Sequence, residues 1–344
     1  MKFGIVGLGS MGKRRVRDLT GLGHAVLGFD QRHDRMEQAA QMFGIRTVGS
    51  FDELSSAGLD GVVISTPPDQ HVQYYELCHA CRLPYFSEAN IFTPPVAWFS
   101  ERERASGVRG FPSATWRFHP LIGELSQRLR EAGPSQVNSF SHQYAAFLPD
   151  WHPWEPYTEF YAGRRTTAAA REMVPFELDV FFDGLGAVAC VQALKARARR
   201  WDTDFDDTYL MLLQFEAGPI GTMSIELHHV LPTRVTRVSL VDQELTLDMN
   251  AQALTIFDRA SDASRTIKPQ SLLQNWSFSF EQVYREEIRR FVAALTGQQY
   301  PKSWADERHL SDVLYAAELS SASGRAVVVR DITSAYDGVS WIKG

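Results

Sequence analysis

The run Gly7-Leu8-Gly9-Ser10-Met11-Gly12 constrains the fold of this chain more than any other six residues. It follows a short apolar segment, Phe3 to Gly7. It opens a stretch with helical apolar spacing at Met11, Val16, Leu19 and Leu22. A G-x-G-x-x-G turn between strand and helix lets the backbone reverse tightly and approach a pyrophosphate, which the helix N-terminus then holds. A second strand, Ala25 to Phe29, ends in Asp30, 18 residues beyond Gly12. An acid near that distance suits a ribose 2′-hydroxyl. The expectation is a dinucleotide site made by Gly7, Gly9, Ser10, Met11, Gly12 and Asp30. A glycine turn that serves packing alone is the alternative. A carboxylate repels a 2′-phosphate, so Asp30 favours NAD. Arg32 and Arg35 are placed to meet such a phosphate, which makes NADP the second choice.

The rhythm continues as strand and helix in alternation. A helix is expected over about Arg35 to Met42 and a strand over Arg46 to Val48. The continuous apolar run Gly61 to Ser65 reads as a strand buried on both faces. A helix, Gln70 to Cys81, and a strand, Pro84 to Ser87, follow. This order predicts a doubly wound parallel sheet of the Rossmann type. From about Gln136 the pattern turns β-rich. Strands are expected at Val137–Phe147, Val188–Arg199, Tyr209–Phe215, Ile220–His228, Arg234–Val241, Glu244–Met249 and Ala253–Phe257. They predict one large, mostly antiparallel open sheet in a C-terminal α/β domain. Helices are expected at about Arg171–Gly184, Phe280–Leu295 and Ala305–Ala322, with a last strand at Ala326–Val329. The expected division is residues 1–120 and 121–344, with the last helix and strand able to pack back on the first domain.

Composition bounds the function. The 344 residues are 44% hydrophobic with a formal net charge of −6, and the charge is spread along the chain. No basic block suggests nucleic acid, no apolar run suggests a membrane span, and no leader is visible. A cytoplasmic protein is expected. Three cysteines make no disulfide framework. Cys78 and Cys81 lie one helical turn apart, but a metal needs more ligands than two, and no metal site is expected. Lys195, Arg197 and Arg199 share one strand face, and the acids Asp202, Asp204, Asp206 and Asp207 that follow are placed to neutralise them.

Five features occur in a telling order: the glycine turn; Thr66-Pro67-Pro68 with His71 on the next helix; Glu88 closing a strand; Trp116-Arg117-Phe118-His119-Pro120; and the late helix Tyr284 to Phe291. With them the chain resembles the glucose–fructose oxidoreductase / inositol dehydrogenase / MocA family along most of its length. The resemblance implies a nicotinamide cofactor, hydride transfer at a hydroxyl or keto carbon of a sugar, cyclitol or nucleotide-linked sugar, and a homodimer or homotetramer formed through the open sheet. It places Thr66, Pro67 and His71 on the nicotinamide side, Glu88 at the glutamate of the family's Glu-Lys-Pro motif, and Arg117 near the cofactor.

The chain departs from the pattern where the proton is handled. The family's lysine is here Ala89, in a chain with only six lysines and none between Lys13 and Lys195. The family's Asp-x-x-x-His aligns with Glu172 to Phe176, so the usual histidine is Phe176. No histidine occurs from residue 153 to residue 227. An alcohol cannot give up a hydride without losing its hydroxyl proton, and a positioned acid or base contributes roughly 10²–10⁴-fold. Glu172 and Tyr157 are the candidate replacements, with Tyr161, Glu177 and His119 behind them. Glu172 as the partner of Arg117, Arg164 or Arg165 is the plain alternative. So is a silent or regulatory protein that binds a dinucleotide without turnover. The loop residues Trp151, His152, Trp154, Tyr157, Phe160 and Tyr161 could line a sugar, with Arg164 and Arg165 for a phosphate or carboxylate, or could form a satellite core.

Overall fold

In the computed structural model, residues 1–272 and 280–332 are described. They form two compact units, residues 1–118 with 280–308, and residues 119–272 with 309–332.

The first unit is a six-stranded parallel sheet in the order β3-β2-β1-β4-β5-β6. Its strands are β1 (Lys2–Val6), β2 (Ala25–Phe29), β3 (Arg46–Thr47), β4 (Gly61–Ile64), β5 (Tyr85–Ser87) and β6 (Gly110–Pro112). The helices α1 (Ser10–Gly21), α2 (His33–Phe43), α3 (Phe51–Ser55), α4 (His71–Ala80), α5 (Val96–Ser106) and α9 (Glu281–Leu295) accompany them. Strand order reverses at β1 and β4, the switch point where open α/β sheets bind ligands. All four residues of β4 are buried, as its uninterrupted apolar run requires. One core cluster joins Phe3, Ile5, Val16 and Phe86 to Ile288 and Phe291 of α9. A second collects Val6, Val62, Tyr75 and Tyr85 with Trp304.

The second unit is built on a nine-stranded mixed sheet, β14-β13-β12-β11-β7-β10-β9-β8-β15. Its strands are β7 (Val137–Phe147), β8 (Val188–Ala196), β9 (Thr208–Phe215), β10 (Ile220–Glu226), β11 (His228–Leu240), β12 (Gln243–Asp248), β13 (Ala253–Asp258), β14 (Ala263–Ile267) and β15 (Val327–Val328). The helices α6 (Pro120–Ala132), α7 (Ala169–Leu185) and α8 (Pro269–Leu272) belong to this unit, and α10 spans Trp304–Ser323. Pairing is antiparallel except between β7 and β10. Strict alternation along β9 buries Tyr209, Met211, Leu213 and Phe215 and leaves Leu210 and Leu212 outside.

Several boundaries differ from the sequence reading, each for a local reason. β8 ends at Ala196 because the amides of Ala198 and Arg199 turn to donate to Asp207 (2.8 and 3.0 Å). β11 begins six residues early, at His228. Its register shifts between His228 and Thr233, across Pro232, whose missing N–H hid the strand. The edge strand β14 is nearly all exposed and has no apolar alternation to reveal it. Helices α3, α5 and α6 and the short β6 also escaped the sequence reading. In α5 the apolar residues crowd into the first turn and the remainder is charged.

Candidate cofactor and substrate sites

The glycine turn of the first unit is shaped by contacts that admit no side chain. Gly7 has φ +88°, and a Cβ there would sit 2.6 Å from the Ser65 carbonyl oxygen. A Cβ on Gly12 would lie 1.8 Å from the Gly7 carbonyl oxygen. Such a turn brings backbone N–H groups to the start of α1, where an anion is favoured. Asp30 holds the turn in place. Leu8 N–H donates to its Oδ2 (2.6 Å) and Arg32 N–H to its Oδ1 (2.8 Å). The Arg32 side chain turns outward and pairs with Asp34 at 2.6 Å. Arg35 instead reaches over the turn, its Nη1 standing 3.4 Å from where a Gly9 Cβ would be. The glycine turn and Asp30 thus shape the start of α1, with Arg35 the nearer cation.

Thr66 and Pro67 follow β4 and are braced from behind. His71 is fully buried, and its Nε2–H donates to the Thr66 carbonyl (2.8 Å). Its Nδ1 lies 3.4 Å from Ser87 Oγ. Burial pushes this imidazole down to about 4, so it is neutral near pH 7. His71 thus sets the shape of the Thr66-Pro67 loop.

The sequence reading missed the group beneath this loop. Arg15, fully buried on α1, donates Nε–H to Glu88 Oε1 (2.6 Å) and Nη2–H to Glu287 Oε2 (2.5 Å). Glu287 of α9 also accepts from Ser113 Oγ, Thr115 Oγ1 and the Ala114 amide. Burial and the neighbouring Glu287 raise the Glu88 carboxyl, against the pull of Arg15. Glu88 thus ties the end of β5 to the helix that carries the glycine turn. Arg117 is committed nearby, donating to the Pro301 carbonyl (2.5 Å) and lying 3.4 Å from Asp306. Asn90, third in Glu88-Ala89-Asn90, donates to Tyr75 Oη and accepts from Phe92 N–H. Ala89 between them brings no proton-carrying group.

In the second unit the candidates separate by what they touch. Glu172 stands in the first turn of α7 and is 9% exposed. Phe176 and Asp179 follow at i+4 and i+7 on the same helix face. Tyr157 is tied elsewhere. Its hydroxyl donates to Asp202 Oδ2 and accepts from Asp202 N–H, both at 3.0 Å, and its ring meets Trp201 edge-on. Glu177 is fully buried between His142 Nε2 (3.1 Å) and Arg234 Nη2 (2.8 Å). His119 is buried at the start of α6, and desolvation pushes it down to about 4. Lys195 pairs with Asp206 (2.8 Å) and Arg197 lies 3.7 Å from Asp204, so the acidic stretch meets those two cations. The Arg199 guanidinium lies over Phe147 and Trp201, and Arg165 also pairs with Asp204 (2.8 Å). In the aromatic loop His152 stacks on Trp154, which is 70% exposed, while Phe160 is buried.

These features define a Rossmann-type fold in the first unit. Residues 1–89 match the family described as "Oxidoreductase family, NAD-binding Rossmann fold". That N-terminal region is thus similar to the NAD-binding Rossmann region of the Gfo/Idh/MocA oxidoreductases. The whole chain shares its fold with solved oxidoreductases of low sequence identity. One from Agrobacterium radiobacter, in complex with NAD⁺, L-tartaric acid and magnesium, superposes with a TM-score of 0.80. It is 17% identical, covering 96% of this chain and 98% of that one. UDP-N-acetylglucosamine 3-dehydrogenase from Acidithiobacillus ferrooxidans gives 0.74 at 17% identity, covering 94% and 98%. Levoglucosan dehydrogenase in complex with NADH and levoglucosan gives 0.77 at 15% identity, covering 96% and 99%. No curated protein matches the chain in sequence.

Proposed function

We propose that this protein is an NAD-dependent oxidoreductase acting at a hydroxyl or keto carbon of a sugar, cyclitol or nucleotide-linked sugar, with Glu172 as the group that moves the hydroxyl proton. The observation that carries the proposal is the cradle around Gly7, Gly12 and Asp30, in a chain whose fold matches enzymes named for sugar substrates. When bound, the nicotinamide gives or takes the hydride. Backbone amides at the start of α1 hold the pyrophosphate, and Asp30 accepts from the ribose while repelling a 2′-phosphate. His71 keeps the Thr66-Pro67 loop in shape. Glu172 replaces the missing lysine and histidine. It is mostly buried in the first turn of α7, and in this proposal it accepts a proton as the alcohol is oxidised and returns it on reduction.

The open face of the nine-stranded sheet, with Leu194, Leu210 and Leu212 exposed, is the surface we assign to self-association. Among the described residues no helix is long and apolar enough to cross a membrane, and we place the enzyme in the cytoplasm. The test of function is reduced-nicotinamide absorbance with a panel of sugars, cyclitols and nucleotide sugars. Turnover that collapses in Glu172→Gln supports the proposal. NADH binding without turnover across the panel supports the second reading, a silent dinucleotide-binding protein, which Ala89 and Phe176 favour.

A further inference from the structure

Glu226, His228 and His229 lie within four residues of one another, where the chain passes from β10 across the end of β7 into β11. One carboxylate oxygen and one nitrogen of each ring come within 4.8 Å of one another, the one such group among the described residues. We propose that these three side chains form a binding site for a divalent transition metal of the zinc type. It has three protein ligands, and a fourth position is left for water.

The backbone here is fixed from both sides. Leu227 N–H donates to the Asp207 carbonyl (2.9 Å), and the Leu227 carbonyl accepts from Leu148 N–H (3.1 Å). Each of the three side chains is also held by a neighbouring group. Thr208 Oγ1–H donates to Asp207 Oδ1 (2.8 Å), so the 3.2 Å contact between Thr208 Oγ1 and His228 Nδ1 has the imidazole as donor. That tautomer leaves the Nε2 lone pair for a metal. A carboxylate–hydroxyl–imidazole chain of this kind is how outer groups orient a ligating histidine. Asp207 is itself held in place by donors from Trp201 Nε1, the Ala198 and Arg199 amides and Thr208 Oγ1.

Glu226 Oε1 is held by Gln143 Nε2–H at 3.1 Å, which turns Oε2 to His229 Nε2 at 2.8 Å. Two ligands on one tetrahedral zinc with arms of ~2.0–2.1 Å stand about 3.3 Å apart. The Glu226–His229 pair already lies near that separation. Closing the widest gap takes about 1.5 Å, by the same tetrahedral geometry, from partly exposed side chains. Binding exchanges the His229 Nε2 proton for the metal, and the proton leaves to solvent. Two imidazoles with one carboxylate suit zinc, nickel or copper rather than magnesium or calcium. A surface ion pair would need only His229 and Glu226, and would not need His228 beside them.

The sequence reading expected no metal. The signal it passed over was Glu-Leu-His-His, with Glu226 and His228 at i and i+2.

The experiment is calorimetric titration of the chelator-treated full-length protein with zinc sulfate, with Co²⁺ as the spectroscopic probe. The expected result is one ion per chain at micromolar affinity or tighter. The Co²⁺ complex should show visible bands and no thiolate charge-transfer band. His229→Ala and Glu226→Gln should each weaken binding at least tenfold, while Cys81→Ser changes nothing. His229 is partly exposed, so its variant folds, and unchanged thermal unfolding without metal verifies this. Absence of saturable binding overturns the proposal. So does binding that survives both variants, or binding that disappears in Cys81→Ser.

Discussion

Each unit buries an arginine against a glutamate, and the two pairs support different things. In the first unit, Arg15 sits between Glu88 and Glu287 beneath the helix that carries the glycine turn. Its work is to fix backbone, and the cofactor cradle is itself backbone. In the second unit, Arg171 pairs with Glu318 of α10 at 2.6 Å, and Tyr209 Oη joins the same carboxylate. That pair anchors α7, whose adjacent residue is Glu172. The proposed turnover needs a side chain, and Glu172 is the one assigned to it. Cofactor binding should therefore survive most side-chain changes, while turnover should hang on very few groups.

The sharpest blow to the first unit is Gly12→Ala. The new methyl would overlap the Gly7 carbonyl at 1.8 Å, so the turn must open. NADH binding, followed by fluorescence titration, should fall by at least ~100-fold, the order expected when a phosphate-binding turn loses its geometry. The paired variants Arg15→Met and Arg171→Met divide the two roles. Each leaves a buried carboxylate without its cation and should cost about 3–5 kcal/mol in urea unfolding. Arg15→Met should also weaken NADH binding, and Arg171→Met should not. Equal effects of the two on NADH binding would break the comparison.

The pH dependence comes next. His71 titrates near 4 when folded and 6.5 when unfolded. The unfolded chain therefore binds more protons between those values. The contribution of His71 is full above 6.5 and is lost as pH falls through 4. Its size is roughly 3 kcal/mol. In His71→Gln this part of the acid slope should vanish from urea unfolding measured between pH 7 and pH 4. The smallest effect belongs to Tyr157. Its hydroxyl only braces the loop to Asp202, so Tyr157→Phe should cost about 1 kcal/mol. Turnover should change less than tenfold, and a larger loss would restore Tyr157 as the proton carrier.

The same contrast explains what the sequence made legible. The glycine turn, β4 and Asp30 are local patterns, since six adjacent residues and one apolar run carry them, and they stand where expected. Arg15 could not be read this way. Its partners lie at positions 88 and 287, and on α1 it looks like one more solvated cation. Glu177 looked like a possible base until His142 and Arg234, from two different strands, were seen to claim it. Tyr157 was taken from a loop whose path depends on Asp202. That positions 89 and 176 hold the apolar Ala89 and Phe176 was legible because it is a matter of the residues themselves.

The most direct test of the account compares wild type with Glu172→Gln on whichever sugar substrate the wild type turns over. NADH affinity is measured in parallel. The account predicts that kcat falls by about 10²–10⁴, the worth of a positioned acid or base, while NADH binds as before. Full turnover in Glu172→Gln would contradict it.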